Sequence, residues 1–475
     1  MYGKMITLGL KNKTEEHMKL NRSLAISTRI QECQKENIMG LLEKEFPTEI
    51  LEPEEGENKG RNRVFTISNT LLAMVLTSIQ QDKTLKNSVN LYYIIHQQTR
   101  QRVLEEMEQA MEKERERDEL KERTVGRPRK YGVQLPKSLD KDISLNTAAY
   151  SRARDRVPLG LAQKLFQHSR IEGPENTYSH WHGRRVFLGD GTYIQMQDTD
   201  AIRKDYKVKH KGKDSEGYPQ GLLVAITERG AGQVHDFELS NRHVSELPLL
   251  HKMLDGIPEK SLLLLDDLYN CYEIISRCHR GQIDFVVPAK RDRTYEHVET
   301  IEEGDEIIRI KTPKNRSKWL EEKEKPGSFL LRRITCQSPD GKQYVLLTSL
   351  LDRTISKHEI QELYLSRWDI EISIREIKTI MDINVLRSRT PEMALKELTV
   401  SLATYNLIRK TIYASIKDLP FSPEEDFIYQ FYTVNKDVLI DKKGRVYNRW
   451  STGRRRTGES IKKTDITKEK TKQKI

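Results

Sequence analysis

The chain has 475 residues and little of what marks a secreted or membrane protein. Its four cysteines, Cys33, Cys271, Cys278 and Cys336, contain no C-x-x-C pair. That excludes a disulfide scaffold and suits a reducing compartment. Cys271, Cys278 and His279 have no second paired knuckle, so they read as plain buried thiols rather than zinc ligands. No apolar stretch approaches the roughly 18 residues needed to cross a bilayer. The best runs, 71–76 and 262–265, are short and bounded by polar residues. Residues 1–14 lack the apolar centre of a secretion signal. Hydrophobic residues are scarce at 36%, whereas charged residues reach 32%, so a core must coexist with much solvated surface. No internal repeat is visible.

What the chain does have is positive charge, a net +11, which suits a polyanionic partner, with a membrane already disfavoured. The charge is not spread evenly. Residues 441–475 carry 13 Lys+Arg against 4 Asp+Glu, so this polar tail, densest at Arg454-Arg455-Arg456, holds most of the excess. It reads as a non-specific tether to nucleic acid or as a solubilising tail. The length allows about two to four domains.

Residues 1–60 read as a polar arm and 61–175 as a helical region. Within the latter, 61–98 has a helical apolar pattern interrupted at 82–87, and 101–123 is a solvated helix of mixed charge. Gly126-Arg127-Pro128-Arg129-Lys130 is similar to the core of an AT-hook, with Val125 where that motif has Arg. Arg127 and Arg129 on an extended backbone fit a minor groove, or form a plain basic linker. Helix resumes over 146–168, with Arg152, Arg154 and Arg156 ahead of Pro158. From 184 onward short strands alternate with helices, which predicts an α/β fold. Strands are expected at 185–189, 221–226, 234–239, 261–265 and 283–288, with a helix at 245–254. Residues 290–342 form short strands split by turns, 344–347 is another strand, Lys357 opens one long helix, and 391–414 is a further helix.

Asp190 and Asp266 each follow an apolar strand, and the carboxyl ends of strands are where side chains gather into a crevice. Taken singly, each could be a turn or cap residue. On the long helix, Tyr364, Arg367, Glu371 and Lys378 would fall within roughly 60° of one another at 100° per residue. Leu363, Ile370, Ile374, Ile377 and Met381 form the adjacent stripe that seats the helix. Three carboxylates among cations suit Mg²⁺-dependent phosphoryl transfer, because hard cations take oxygen ligands and can stabilise both attacking and leaving oxygens.

Tyr364-x2-Arg367-x3-Glu371-x6-Lys378 matches in full the signature of the insertion-sequence-four family of bacterial DDE transposases. Gly189-Asp190-Gly191-Thr192 resembles that family's first aspartate box, and Asp266-Asp267-Leu268-Tyr269-Asn270-Cys271-Tyr272 its second. The similarity extends to Arg63-Val64-Phe65-Thr66, Thr147-Ala148-Ala149-Tyr150, Thr390-Pro391-Glu392-Met393 and Tyr405-Asn406-Leu407, so it covers most of 61–410. One position departs, since Asp267 stands where the family usually has Arg. The resemblance implies a ribonuclease-H-like catalytic core, preceded by a helical N-terminal DNA-binding region. Its first aspartate lies on the first strand, its second after the fourth, and its glutamate on a later helix. The core would occupy 176–289 and 343–415, with a β-rich insertion at 290–342 and a C-terminal region from 416 to 475.

It further implies Asp190, Asp266 and Glu371 as catalytic metal ligands for Mg²⁺, with Mn²⁺ substituting. Tyr364, Arg367 and Lys378 would contact DNA. The implied partners are double-stranded terminal inverted repeats and target DNA, held by a homodimer. The implied reaction is hydrolytic nicking followed by attack of a 3′-hydroxyl, in the cytoplasm at the nucleoid. The alternatives are a DNA-binding protein that has lost its chemistry and a nuclease that cuts without joining.

Overall fold

The computed structural model describes residues 64–80, 83–119, 145–171, 180–209, 216–290, 294–314, 327–337, 341–379 and 381–416. All of them precede Asn435, where the chain divides into two units. The arm 1–60, Arg127, Arg129 and the tail with Arg454, Arg455 and Arg456 lie outside the described residues.

The N-terminal helices begin where the sequence supplies caps. The Thr66 hydroxyl accepts the Asn69 N–H at 3.1 Å and opens α1 (Ile67–Ile79). Next, α2 (Leu85–Glu119) runs on through the mixed-charge segment. There Gln101 bonds Glu105 at 3.0 Å and Arg102 faces Glu106 at 4.0 Å, pairs one turn apart on a solvated helix. Asn146 caps α3 (Thr147–Arg156), and α4 (Leu159–His168) follows. Pro158 separates the two, because it cannot donate a helical N–H and holds Val157 extended.

The strands are β1 (His180–Trp181), β2 (Arg184–Gln195), β3 (Val208–Lys209), β4 (Glu216–Gly217), β5 (Gln220–Glu228), β6 (Val234–Asn241), β7 (Leu262–Leu264), β8 (Asp284–Pro288), β9 (Glu296–Glu302), β10 (Asp305–Lys311), β11 (Ser328–Gln337) and β12 (Gln343–Thr348). Between them lie α5 (Asp200–Tyr206), α6 (Glu246–Met253) and α7 (Tyr272–Arg280). One sheet runs β6-β5-β2-β7-β8-β12-β11-β10-β9, with β1 paired to β2. Only β2, β7 and β8 are mutually parallel within it. Leu262, Leu263 and Leu264 are buried in successive, opposite-facing positions, so β7 is covered on both sides. One face packs Phe187, Leu263 and Leu265 under α6 and α7. The other packs Val186, Leu188 and Leu264 under the helices that follow β12.

Three features differ from the sequence reading. First, β2 does not end at Asp190 but continues to Gln195, because β5 pairs with it from Phe187 to Gln195. On its other side β7 reaches only Leu188, so Asp190 lies just past the end of its parallel neighbour. Second, the strands expected within 290–342 are β9, β10 and β11, and they continue the main sheet through β12 and β8, a pairing the sequence reading did not specify. The turn before β10 uses Gly304 at φ +73°, a left-handed conformation that suits glycine. Arg332 on β11 is fully buried, and its guanidinium grips Asp305 and the carbonyls of Asp352 and Ile355.

Third, the expected long helix is two, α8 (Lys357–Leu365) and α9 (Trp368–Thr379). Ser366 N–H and its hydroxyl both bond the Leu363 carbonyl, at 3.0 and 2.6 Å. Arg367 N–H therefore turns to Tyr364 O at 3.0 Å, an i→i−3 bond that interrupts the α-helical ladder. The apolar stripe survives the break, with Leu363, Ile370, Ile377 and Met381 buried and Ile374 packed against them.

Last comes α10 (Pro391–Ile416). Its Leu398, Leu402 and Tyr405 share one cluster with Leu71, Tyr150 and Leu161 of the N-terminal helices and with Ile194 and Ile377 of the sheet region. The helical segment and the sheet are thus continuous in their core. Lys83, in the α1–α2 turn, adds a polar link by donating to the carbonyls of Met381 and Asp382 beyond α9. Burial lowers its ammonium to about 8 despite the nearby Asp382 and Glu397 charges.

The buried Arg332–Asp305 pair gives a stability test. Asp305→Ala strands a buried guanidinium and is expected to cost about 3–5 kcal/mol in urea unfolding. Arg353→Ala removes the exposed pair with Glu299, and is expected to cost under about 1 kcal/mol. Equal losses would show that the buried pair has no special role.

Candidate active site

Alternation along β2 puts Asp190 on the same face as Leu188 and Thr192, the face covered by α8 and α9. Its Oδ1 accepts the Gly191 N–H at 2.8 Å. Burial pushes the Asp190 carboxyl up to about 6, and the charges of Glu246 and Asp266 add to this; the Gly191 N–H and Arg367 oppose it.

Asp266 follows β7, the next strand in the sheet, and caps the single 3₁₀ turn Asp267–Tyr269. Its Oδ1 accepts the Asp267 N–H at 2.8 Å. Asp266 is half-buried and its charge bears on Asp190, Arg367 and Tyr364, whereas Asp267 is exposed. The first residue of the pair is therefore the one that faces Asp190.

Arg367 sits in the break between α8 and α9. Its Nη2 lies 3.2 Å from Glu371 Oε1, and its guanidinium stacks over Trp368 at 5.1 Å. Its Nε is buried without a hydrogen-bond partner among the described residues. The Glu371 side chain remains 43% exposed, so it can swing away from this contact. Lys378, two turns further along α9, donates to Thr192 Oγ1 at 3.0 Å.

Tyr364, expected among the DNA contacts, lies under the strand end. It is buried, and its hydroxyl donates to the Leu265 carbonyl at 3.3 Å. It braces the strand end before Asp266 from within. The four signature residues also do not share one helix face, since the break distributes them over α8, the turn and α9.

Among the described residues, no three His, Cys, Asp or Glu side chains stand close enough to hold a metal ion as they lie. The three acids approach one end of the sheet, but Glu371 is engaged by Arg367. Cys271 and Cys278 are ordinary thiols, pushed by burial to about 11 and about 12.

One residue at this end escaped the sequence reading. Glu246, the first residue of α6, accepts the Tyr269 hydroxyl at 2.6 Å. In the sequence it is only an acid after a Ser cap, which any helix can carry.

Residues 181–407 match the model of a family described as the transposase DDE domain. The transposase InsG for insertion sequence element IS4 of Escherichia coli (strain K12) is 26% identical over 273 residues, 55% of this chain and 60% of that protein. A putative transposase, InsZ, of the same organism is 28% identical over 144 residues, 29% of this chain and 48% of its own. The chain thus matches less than two thirds of either relative's length. A solved piggyBac transposase synaptic complex with hairpin DNA aligns at a TM-score of 0.38 and 10% identity, over 90% of this chain and 86% of that one. No described helix is long and apolar enough to cross a membrane.

The raised Asp190 carboxyl has a measurable sign. Its folded pKa of about 6 exceeds the ordinary 3.8, so ionisation destabilises the fold progressively as pH rises from about 4 to about 6. In EDTA, Asp190→Asn is expected to raise stability at pH 7.5 by about 2 kcal/mol, discounted for partial exposure. The gain should vanish below pH 4. A gain independent of pH would show that ionisation is not its cause.

Proposed function

We propose that this chain is the transposase of a bacterial insertion sequence, which binds terminal inverted repeats and performs cut-and-paste transposition. The observation that carries this reading is the approach of Asp190 and Asp266 at the ends of adjacent parallel strands, with Arg367 and Glu371 beside them. The order β6-β5-β2-β7-β8, three antiparallel strands followed by two parallel ones, supports a ribonuclease-H-like core. Asp190 lies on its first long strand and Asp266 after its fourth.

The donor set fits a divalent cation. The sheet end carries a surplus of negative charge, visible in the raised Asp190 carboxyl, and its donors are hard oxygens. Asp190, Asp266 and Glu371 would hold Mg²⁺, or Mn²⁺ in its place. Bound there, the ions would activate the attacking hydroxyl and stabilise the leaving oxygen.

The residues supply the rest. The unpartnered Nε of Arg367 can donate to a phosphate oxygen, and the planar guanidinium can grip two oxygens at once. A phosphate there competes with Glu371 for the same cation, which frees the glutamate toward the aspartates. Lys378, held on Thr192, places a positive charge further along β2 for the adjoining backbone. The helical region would read the element end, and the basic residues Arg127, Arg129, Arg454, Arg455 and Arg456 would add sequence-independent attraction. Two such chains would hold both ends together.

The test is Mg²⁺-dependent cleavage of a terminal-repeat duplex taken from the DNA flanking the gene. Glu371→Ala and Asp266→Asn should each reduce the rate about a thousandfold, equivalent to about 4 kcal/mol in the barrier. Asp267→Asn should stay within about tenfold of the parent. Undiminished cleavage by Glu371→Ala would reject the assignment and favour the inactive DNA-binding alternative.

A further inference from the structure

We propose that Glu246 is a positioning residue that fixes the second aspartate relative to the first, an inference that rests on the transposase reading above. Glu246 lies on the α6 face of the sheet, opposite the helices that carry Tyr364 and Glu371. Its carboxylate occupies the space directly over Gly191. A Cβ built on Gly191 would fall 2.4 Å from Glu246 Cδ and 2.5–2.7 Å from its two oxygens. The second glycine of the Gly189-Asp190-Gly191 box is thus what allows this carboxylate to lie against the strand next to Asp190.

From that position Glu246 accepts the hydroxyl of Tyr269 at 2.6 Å. Tyr269 is almost completely buried, and it closes the turn that Asp266 caps, its own N–H bonding the Asp266 carbonyl at 3.1 Å. Burial, then the Glu246 charge, hold its phenol far above the usual range, so it stays a donor. A single hydrogen bond therefore joins the Asp266 turn to the start of α6, whose Glu246 carboxylate packs over Gly191 of the Asp190 strand.

Two other tethers hold the same segment. Tyr364 reaches the Leu265 carbonyl from α8, and the Asn270 side chain reaches the Pro288 carbonyl at 2.6 Å. Neither connects to β2. The β2–β7 ladder ends at Leu188 and Leu264, so beyond it Glu246, packed over Gly191 and bonded to Tyr269, helps set the gap between the two aspartates, and so the spacing at which they can share a divalent ion. Residues that orient metal ligands in this way typically change affinity by about 10–100-fold when removed.

The full chain is tested as Glu246→Ala, Glu246→Gln and Tyr269→Phe. Mn²⁺ binding is measured by calorimetry without DNA, and terminal-repeat affinity is measured in EDTA. Glu246→Ala and Tyr269→Phe should each weaken Mn²⁺ binding about tenfold or more. Terminal-repeat affinity should stay within about twofold, because no phosphate contact is removed. Glu246→Gln retains an oxygen that accepts the Tyr269 hydroxyl and should recover most of the lost Mn²⁺ affinity.

If Glu246→Gln binds as weakly as Glu246→Ala while Tyr269→Phe matches the parent, the charge and not the tether matters, and the proposal fails. It also fails if none of the three changes Mn²⁺ binding. Should Glu246→Ala not fold, Tyr269→Phe decides the same question. Failure of the transposase reading looks different, because the parent chain itself would then bind no Mn²⁺ or Asp266→Asn would bind it normally.

Discussion

Negative charge kept partly out of water at the end of parallel strands is the constraint on which the rest of this structure depends. Asp190 and Asp266 come from adjacent strands, and Glu246 stands on the opposite face of the same strand end. Gathering carboxylates in a half-buried place is unfavourable, and the raised Asp190 carboxyl is the local measure of that cost. The fold offsets part of it with fixed donors: the N–H groups of Gly191 and Asp267, the Tyr269 hydroxyl and the Arg367 guanidinium. What remains uncompensated is an excess of negative charge at this strand end, which the proposed metal ions would offset.

The same constraint explains how firmly the third acid's helix is placed. Glu376, on α9 with Glu371, is buried against Arg409 of α10 at 2.5 Å and accepts the Tyr405 hydroxyl at 3.0 Å. Tyr405 and Arg409 also close on Gly232 in the β5–β6 turn, where a side chain would collide with the guanidinium. Asn406 pairs both backbone groups of Val234 through its amide. A buried ion pair adds little net stability over apolar packing, but a fully bonded one fixes a single geometry. With Lys83 on the carbonyls beyond α9, the helix is clamped at its far end while Glu371 stays exposed at the near end. Rigid support behind the exposed Glu371 suits the proposed site, in which substrate binding at Arg367 frees the glutamate.

Much of this was legible in the chain. The apolar run 262–265 followed by an acid, and the apolar strand before Asp190, placed both aspartates at one end of a sheet, because a doubly covered strand leaves a continuous apolar run. The stripe from Leu363 to Met381 was readable for the same reason. The break at Ser366 was not: an i→i−3 turn preserves the apolar phase, and Ser is an ordinary helix residue. The burial of Tyr364 was not legible, because a signature states which residue types occur together and not which way they face. Glu246 carried no signal, since its partner Tyr269 is 23 residues away and only folding brings them together. The continuation of β9–β11 into the main sheet was equally hidden, because pairing across β8 and β12 is set by non-local register.

The most direct measurement maps where a divalent ion binds along the backbone. Fe²⁺ with ascorbate and peroxide, added to the full chain without DNA, generates hydroxyl radicals at the bound ion and cleaves the nearest backbone. The proposed shared metal site predicts cuts clustered near Asp190, Asp266 and Glu371 together, suppressed by excess Mg²⁺ and lost in Asp190→Asn. Cuts confined to one of these segments, or unaffected by Mg²⁺, would contradict a shared metal site.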